Sequence, residues 1–306
     1  MQKQLARVLE LLDSVLLGKP QQTRLAVVCL LAKGHLLIED LPGMGKTTLA
    51  HALALSLGLE YKRVQFTSDM LPADIIGVNI FDRENNSFQF HQGPVFTQVL
   101  LADEINRTTP KSQSALLEAM EERQVTVDTE TRQLPKPFFV IATQNPQSQS
   151  GTFPLPESQL DRFLMRIQLG YPDAQAEREL LTGVDPREKL AGVKPMLSLE
   201  QLFSLQGLVG KIHASDSLLD YIQRIAEYSR VTPEFPSGLS PRGSMALLRA
   251  AKAWALLDGR KHVIPEDVQA VLIPVLAHRL RPHSDYGEDS GEALVRKLMQ
   301  DVDVVQ

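Results

Sequence analysis

The stretch Asp40-Leu41-Pro42-Gly43-Met44-Gly45-Lys46-Thr47-Thr48 decides the fold. It follows the apolar run His35-Leu36-Leu37-Ile38-Glu39 and precedes the helix-forming segment Leu49-Ala50-His51-Ala52-Leu53-Ala54-Leu55. An apolar strand that feeds a glycine-rich turn at the start of a helix surrounds a phosphate chain with backbone N–H groups and a positive helix end. Because strand and helix flank the turn correctly, a phosphate-binding loop is favoured over a chance Gly-Lys-Thr in a surface turn.

The residues of this loop have separate expected tasks. The two glycines let the backbone approach the phosphates, Lys46 neutralises the β- and γ-phosphates, and the Thr47 hydroxyl is a ligand of Mg²⁺. The predicted nucleotide-binding residues here are Pro42, Gly43, Met44, Gly45, Lys46, Thr47 and Thr48.

Asp40 departs from the phosphate-loop pattern, which has glycine at this place. A carboxylate beside a polyanion is expected to weaken nucleotide binding. The sequence therefore predicts that Asp40→Gly binds nucleotide as tightly as the parent chain or more tightly.

Length and composition set the class of protein. A chain of 306 residues exceeds a usual single domain, so we expect two. Lys and Arg number 32 against 37 Asp and Glu, giving a net charge of −5, which argues against a generally basic nucleic-acid binder. The single Cys29 excludes a disulfide and a cysteine-based metal site. We expect a cytoplasmic protein without a membrane span, since no apolar run approaches about 20 residues.

The segment before the loop predicts two helices, at about residues 1–17 and 21–33. Its position would suit an adenine pocket walled by Leu16, Leu17 and Gly18. Core packing is the alternative for the two leucines.

A second chemical landmark is Gln98-Val99-Leu100-Leu101-Ala102-Asp103-Glu104. Four apolar residues that end in an acidic pair indicate a buried parallel strand, whose carboxyl end delivers the carboxylates to the ligand crevice. Asp103 would hold Mg²⁺ through water, and Glu104 would orient or deprotonate the attacking water.

A further buried strand, Phe138-Phe139-Val140-Ile141-Ala142-Thr143, leads to Gln144-Asn145-Pro146. Asn145 can hydrogen-bond the γ-phosphate or the lytic water, and a turn-initiating Asn before Pro is the alternative. Arg162, farther along, has two interpretations that composition does not separate. It is a surface arginine paired with Asp161, or it stabilises transition-state charge in a neighbouring subunit's site.

These motifs together resemble the MoxR family of AAA+ ATPases over nearly the whole chain. They are the phosphate loop, Leu-Ala-Asp-Glu-Ile-Asn-Arg at 101–107, Ala-Thr-Gln-Asn-Pro at 142–146 and Leu-Pro-Glu-Ser-Gln-Leu-Asp-Arg-Phe at 155–163. The resemblance implies a Walker A motif at Lys46 and Thr47, a Walker B motif at Asp103 and Glu104, and Asn145 as sensor 1. It also implies that Arg162 is a trans-acting arginine finger.

The resemblance also assigns two predicted hairpins. Turn signals place them at about 78–91 and 124–134. The first would be the helix-2 insert and the second the pre-sensor-1 insert, which project toward the pore or substrate side in ring ATPases of this clade.

Beyond residue 170 the chain reads as helical, with segments at about 174–182, 198–213, 217–229, 241–257 and 265–277 and a linker at 183–195. We therefore predict an α/β fold: a P-loop AAA+ parallel-sheet domain over 1–185, followed by a small all-α lid domain over 195–306. Ser240-Pro241-Arg242 opens one lid helix. By resemblance Arg242 is sensor 2, which contacts the γ-phosphate of a nucleotide bound between the two domains.

The sequence thus predicts an ATP- and Mg²⁺-dependent ATPase that assembles as a homo-oligomer, a hexameric ring, because Arg162 comes from the next subunit. The family implies chaperone-like remodelling of protein clients, often ones with a von Willebrand factor A domain, for complex maturation or metal insertion. Two alternatives stay open: a nucleic-acid motor or loader, disfavoured by the acidic or neutral hairpin tips, and a nucleotide-gated scaffold.

Overall fold

The computed structural model describes residues 2–145, 152–183, 185–235, 237–280 and 291–304. Its centre is a five-stranded sheet in the order β2-β5-β8-β1-β9, in which every neighbouring pair is parallel. The strands are β1 (Leu36–Glu39), β2 (Tyr61–Gln65), β3 (Gly77–Asp82), β4 (Ser87–Gln92), β5 (Val99–Asp103), β6 (Gln124–Val127), β7 (Glu130–Gln133), β8 (Phe139–Gln144) and β9 (Met165–Ile167).

Thirteen helices in the described ranges surround the sheet and build the C-terminal region. They are α1 (Gln2–Val15), α2 (Pro20–Leu31), α3 (Lys46–Ser56), α4 (Pro72–Ile76), α5 (Pro110–Glu122), α6 (Glu157–Leu160), α7 (Ala174–Thr182), α8 (Pro186–Lys189), α9 (Leu199–Lys211), α10 (Asp216–Val231), α11 (Pro241–Leu257), α12 (Pro265–Leu276) and α13 (Gly291–Asp301). Across the residues described, no helix has the length and apolar character needed to cross a bilayer.

The order of the strands positions the functional residues. All residues of β5 and β8 are buried, as expected for central parallel strands covered on both faces. Because the strands run parallel, the carboxyl ends of β1, β2, β5 and β8 meet at one edge of the sheet. The phosphate loop and the polar residues after β5 and β8 therefore lie close together.

Both predicted hairpins are present. β3 pairs with β4 and β6 with β7, each antiparallel. The hairpins adjoin, because the Asn79 amide donates to the Asp128 carboxylate at 2.6 Å. On β3–β4, four apolar side chains are exposed: Val78, Ile80, Phe81 and Phe88, the last 71% exposed.

The helical C-terminal region shares its core with the α/β domain. One buried apolar cluster includes residues of α1–α3 and one face of the sheet together with the lid helices α9–α13. A second cluster fills the other face of the sheet under α5. The predicted α/β domain followed by a helical region is confirmed, whereas the boundaries at 185 and 195 stay predictions.

Two local features differ from the expectations. The predicted linker 183–195 contains α8, and α13 lies beyond the predicted helices. In the sheet, β9 pairs with β1 through residues 165–167. Helix α4 follows Leu71, whose N–H donates to the Asp74 carboxylate at 2.8 Å.

Candidate nucleotide site

The phosphate loop connects β1 to α3 through a turn that requires glycine. Gly43 and Gly45 have φ angles of 88° and 91°, which side-chain-bearing residues rarely adopt. A Cβ atom at Gly45 would lie 2.8 Å from the Leu16 side chain, so the absence of a side chain also lets the loop pack against Leu16, which directly follows α1. Helix α3 begins at Lys46, directly after this turn.

The Lys46 side chain is buried at the amino end of α3, and its Nζ donates to the Asp40 backbone carbonyl at 2.6 Å. Burial lowers the pKa of the Lys46 ammonium, and the surrounding carboxylates, Asp103 foremost, oppose that shift. A buried ammonium among carboxylates is a pre-positioned cation that a phosphate chain can use.

Asp103 lies at the carboxyl end of β5 and is held from two sides. Its Oδ1 accepts from the Thr143 hydroxyl at 2.6 Å. Its Oδ2 accepts from Arg63 Nη2 at 2.6 Å and Nε at 3.1 Å. The carboxylate is therefore fixed at the strand end where the sequence predicts it.

Glu104 follows in a left-handed conformation with φ of 56°, and its N–H donates to Thr143 Oγ1 at 2.9 Å. The carboxylate accepts from three donors: Gln65 Nε2 at 2.9 Å, Arg107 Nη1 at 2.9 Å and Asn145 Nδ2 at 3.2 Å. The structure thus brings the predicted pair Glu104 and Asn145 into direct contact. Pro146, which completes that motif, lies outside the described residues.

Sequence reasoning missed Arg63, Gln65 and Thr143, which hold the two carboxylates. Gln65 and Arg63 lie on β2, which pairs with β5 so that Gln65 is opposite Asp103. The signal that could have found them is that they are polar residues at the ends of predicted strands. Their contact with Asp103 and Glu104 also depends on which strands are neighbours in the sheet, and this order is not evident from the sequence.

A cavity of about 370 Å³ lies beside the loop. Its lining includes the predicted residues Leu17, Gly43, Met44, Gly45 and Thr48, together with Leu16, Lys19, Gly170, Pro172 and Leu180. Gly18 does not line it and packs against Ala176 instead, and Pro42 is exposed. None of the described lining residues lies beyond Asp185. The described lining therefore comes from the α/β domain and the segment up to Asp185, and a nucleotide held between the two domains stays a prediction.

Asp40 does not point its charge at a phosphate chain, as the sequence had suggested. Its Oδ2 accepts from the N–H groups of Leu169 at 2.7 Å and Gly170 at 2.6 Å, and its Oδ1 from that of Leu41 at 2.8 Å. The carboxylate fastens the start of the phosphate loop to the segment after β9, which lines the cavity. Asp40 therefore stabilises the start of the loop, and the expectation that its charge weakens nucleotide binding does not follow.

Arg162 and Arg242 meet at the other end of β1. Arg162 Nε and Arg242 Nη1 each lie 3.0 Å from a carboxylate oxygen of Glu121. They line a cavity with Gly34 and His35, which precede β1, whereas the phosphate loop follows β1. Arg242 therefore lies away from the phosphate loop of its own chain, and its contact with a γ-phosphate stays a prediction. The alternative pairing of Arg162 with Asp161 is also absent, since Asp161 pairs with Arg279.

The donor set beside Lys46 fits Mg²⁺. A carboxylate and a threonine hydroxyl are hard oxygen ligands, and Mg²⁺ is commonly held by one or two of these together with phosphate and water. In the part of the chain that the structure describes, no cluster of three or more His, Cys, Asp or Glu side chains forms a dedicated metal cage. Thr47 and Asp103 are the residues that would hold the ion.

Comparison with known proteins identifies the family. Residues 35–165 match the model of the ATPase family associated with various cellular activities (AAA), and residues 227–298 match the AAA lid domain. The chaperone MoxR1 of Mycobacterium tuberculosis is 39% identical over 95% of this chain and 80% of its own length. This chain belongs to the MoxR family of AAA+ ATPases.

Two further relatives agree with this MoxR assignment. YeaC of Bacillus subtilis is 46% identical over 98% of this chain and 94% of its own length. A crystal structure from Cytophaga hutchinsonii superposes with a TM-score of 0.91 at 34% identity, covering 100% of this chain and 96% of that one. The relationship therefore spans both the sheet domain and the lid of this MoxR-family protein.

Proposed function

We propose that this MoxR-family chain hydrolyses ATP with Mg²⁺ at the edge of the sheet where β1, β5 and β8 end. One observation carries the proposal: Lys46, Asp103, Glu104 and Asn145 converge there from separate parts of the sequence. The cavity beside the loop supplies the volume for the nucleoside, with Leu16 and Leu17 among its walls.

In this proposal the chain's own groups divide the work. The loop N–H groups and Lys46 bind the β- and γ-phosphates. Glu104 accepts a proton from the water that attacks the γ-phosphorus, while Asn145, already in contact with Glu104, orients that water. Bound Mg²⁺ supplies charge neutralisation on the phosphate oxygens, held by Thr47 and Asp103.

We further propose that the site is completed by a neighbouring copy, in a hexameric ring. Arg162 and Arg242 lie at the opposite end of β1 from Lys46 and share the carboxylate of Glu121. A head-to-tail contact between copies would apply one chain's arginines to the next chain's cleft, and repetition of such a contact closes a ring. Both arginines would then offset transition-state charge in trans.

Steady-state hydrolysis of ATP tests the chemistry. We expect turnover that needs Mg²⁺, and Glu104→Gln should lower kcat by about 10²-fold or more while ATP binding, measured by calorimetry, persists. Asp69→Asn, an exposed carboxylate outside the site, is the matched control and should leave kcat unchanged. Unchanged turnover in Glu104→Gln would remove Glu104 from its role. Binding without any turnover by the parent chain would favour the nucleotide-gated scaffold.

We also propose that the ATPase remodels protein clients in the cytoplasm, as the name of the chaperone MoxR1 suggests for that relative. The support in this chain is the β3–β4 hairpin, which carries exposed Phe81 and Phe88 with ring centroids 5.3 Å apart. An exposed aromatic pair offers an apolar surface to a protein segment, and the absence of a basic hairpin tip at residues 82–86 disfavours a phosphate backbone. Proteins with a von Willebrand factor A domain are the proposed clients, and complex maturation or metal insertion is the proposed outcome.

Client binding separates this proposal from the nucleic-acid alternative. We expect a von Willebrand factor A domain protein to stimulate hydrolysis and single-stranded DNA to leave it unchanged. Phe88→Ser should weaken stimulation several-fold without changing basal turnover, whereas Val231→Ser, at an equally exposed lid position, should change neither. Stimulation by DNA that Phe88→Ser abolishes would instead favour a nucleic-acid motor.

A further inference from the structure

Arg279 lies just beyond α12 in the lid, yet most of its hydrogen bonds reach the α/β domain. Its side chain is only 6% exposed. The guanidinium donates to the Asp161 carboxylate at 2.7 Å and to the backbone carbonyls of Asp161 at 3.1 Å, Phe163 at 2.8 Å and Leu164 at 3.2 Å. It also donates to the Val275 carbonyl in α12.

These acceptors flank Arg162 on both sides. Residues 161–164 form the irregular connection between α6 and β9. Their N–H groups donate within turns and to His35, whereas the carbonyls of residues 161, 163 and 164 accept from Arg279. The neighbouring His278, also buried, adds a contact of 3.0 Å from its Nε2 to the Phe163 carbonyl. A planar guanidinium with several donors can fix such carbonyls in one arrangement, which a single ammonium cannot.

We propose that Arg279 is a positioning residue for Arg162: the end of the lid clasps the connection that carries the arginine and sets where it points. The inference rests on the proposed trans role of Arg162. It predicts a specific defect. A chain without the clasp keeps its own nucleotide cleft intact, but it does not place Arg162 correctly in the cleft of the next copy.

Arg279→Lys tests the clasp, since lysine keeps the charge and loses the fork of donors. We expect kcat for ATP to fall about tenfold or more while KM and the calorimetric Kd for ATP stay within twofold. Arg260→Lys is the matched control. Arg260 is partly buried near the other end of α12, where it pairs with Asp267 and Asp258 inside the lid, and its replacement should leave kcat within twofold.

Mixing experiments separate positioning from general stabilisation. Arg279→Lys mixed with Lys46→Ala should regain activity, since each chain supplies the partner's missing half. Arg279→Lys mixed with Arg162→Ala should regain none. Unchanged kcat, a large loss of ATP binding, or no recovery with Lys46→Ala under conditions where Arg162→Ala recovers would overturn the clasp.

Failure of the proposed trans role of Arg162 can be distinguished from failure of the Arg279 clasp. If Arg162→Ala keeps full turnover, the trans arginine itself is wrong, whatever Arg279→Lys does, and the clasp falls with it. Should Arg279→Lys not fold, Asp161→Asn carries the same test, because it removes the carboxylate that Arg279 Nε contacts at 2.7 Å and leaves the lid core untouched. Asp161 also lies 3.8 Å from Arg242 Nε, so Arg242→Ala is measured beside it to separate the two contacts. The same kcat loss and mixing pattern are expected, and a kcat within twofold of the parent would overturn the proposal.

Discussion

At the carboxyl end of β1, a buried lysine lies among carboxylates that are each held by several donors. At the amino end of the same strand, two arginines share one glutamate. The strand between them has four residues, roughly 13 Å of chain. The first end has the groups that we propose bind a triphosphate and activate water, and the second has two cations at the opposite end of the strand. Under that proposal a single copy carries two halves of one site, which face away from each other.

Substitution of one residue at each end of β1 should have the largest effects on ATP binding and turnover. Lys46→Ala should abolish ATP binding in its own chain, whereas Arg162→Ala should keep binding and lower kcat by about 10³-fold, as for other trans-acting arginines. An equimolar mixture should recover part of the turnover, read out by phosphate release after subunit exchange. Equal loss of ATP binding in both variants would contradict the division into two halves.

At the arginine end, His35 should make the stability of the fold depend on pH. His35 lines the arginine cavity, its Nδ1 accepts from the Val140 N–H at 3.0 Å, and burial lowers its pKa to about 4. Since the unfolded imidazole titrates near 6.5, the unfolded state binds more protons between these values. The contribution of neutral His35 to the free energy of unfolding is therefore fully present above about pH 6.5. It is lost as the pH falls toward 4, and the loss amounts to about 3 kcal/mol.

Thermal unfolding between pH 7.5 and 4.5 measures this loss. His35→Gln should unfold at a lower temperature at neutral pH but with a shallower dependence on pH. His91→Gln, on the exposed β4 strand, should keep the parent slope. The buried His278, whose pKa burial also lowers, contributes to the slope that remains in His35→Gln. A His35→Gln slope as steep as the parent's would contradict the assignment.

A smaller effect is expected at the nucleotide end from Asp40→Gly. The structure reverses the expectation drawn from the sequence, because the variant loses the carboxylate that accepts three N–H groups. We expect ATP to bind about tenfold more weakly, about 1.4 kcal/mol, comparable to one charge-assisted hydrogen bond. Calorimetry with a nonhydrolysable ATP analogue measures the change in Kd. Binding as tight as the parent's would restore the original interpretation of Asp40.

The smallest effect concerns Glu121, which is partly exposed. Glu121→Gln keeps the shape and removes the charge that both arginines share. Exposed ion pairs contribute about 0–1 kcal/mol, so kcat should fall by no more than about fivefold. A rise in kcat would show that the glutamate restrains the arginines instead of aligning them. Glu118→Gln, one turn earlier on α5 and exposed, serves as the control.

The sequence predicts the fold of this MoxR-family protein well where the signal is local. Asp103 and Glu104 end a fully apolar strand, and the turn residues of both hairpins lie between alternating strands, so neither needs tertiary information. Arg63 and Gln65 were missed because their contacts depend on β2 lying beside β5. The role of Arg242 was assigned by resemblance to the family, and a motif does not say at which end of the sheet the helix that carries it packs.

The apolar core that runs without interruption from α1–α3 into α9–α13 has a mechanical consequence. Swinging the lid away from the sheet would open that core to water, at about 25 cal/mol for each Å² of apolar surface. In the proposed ring, ATP turnover would therefore move whole protomers against one another and leave the lid of each copy packed on its own sheet.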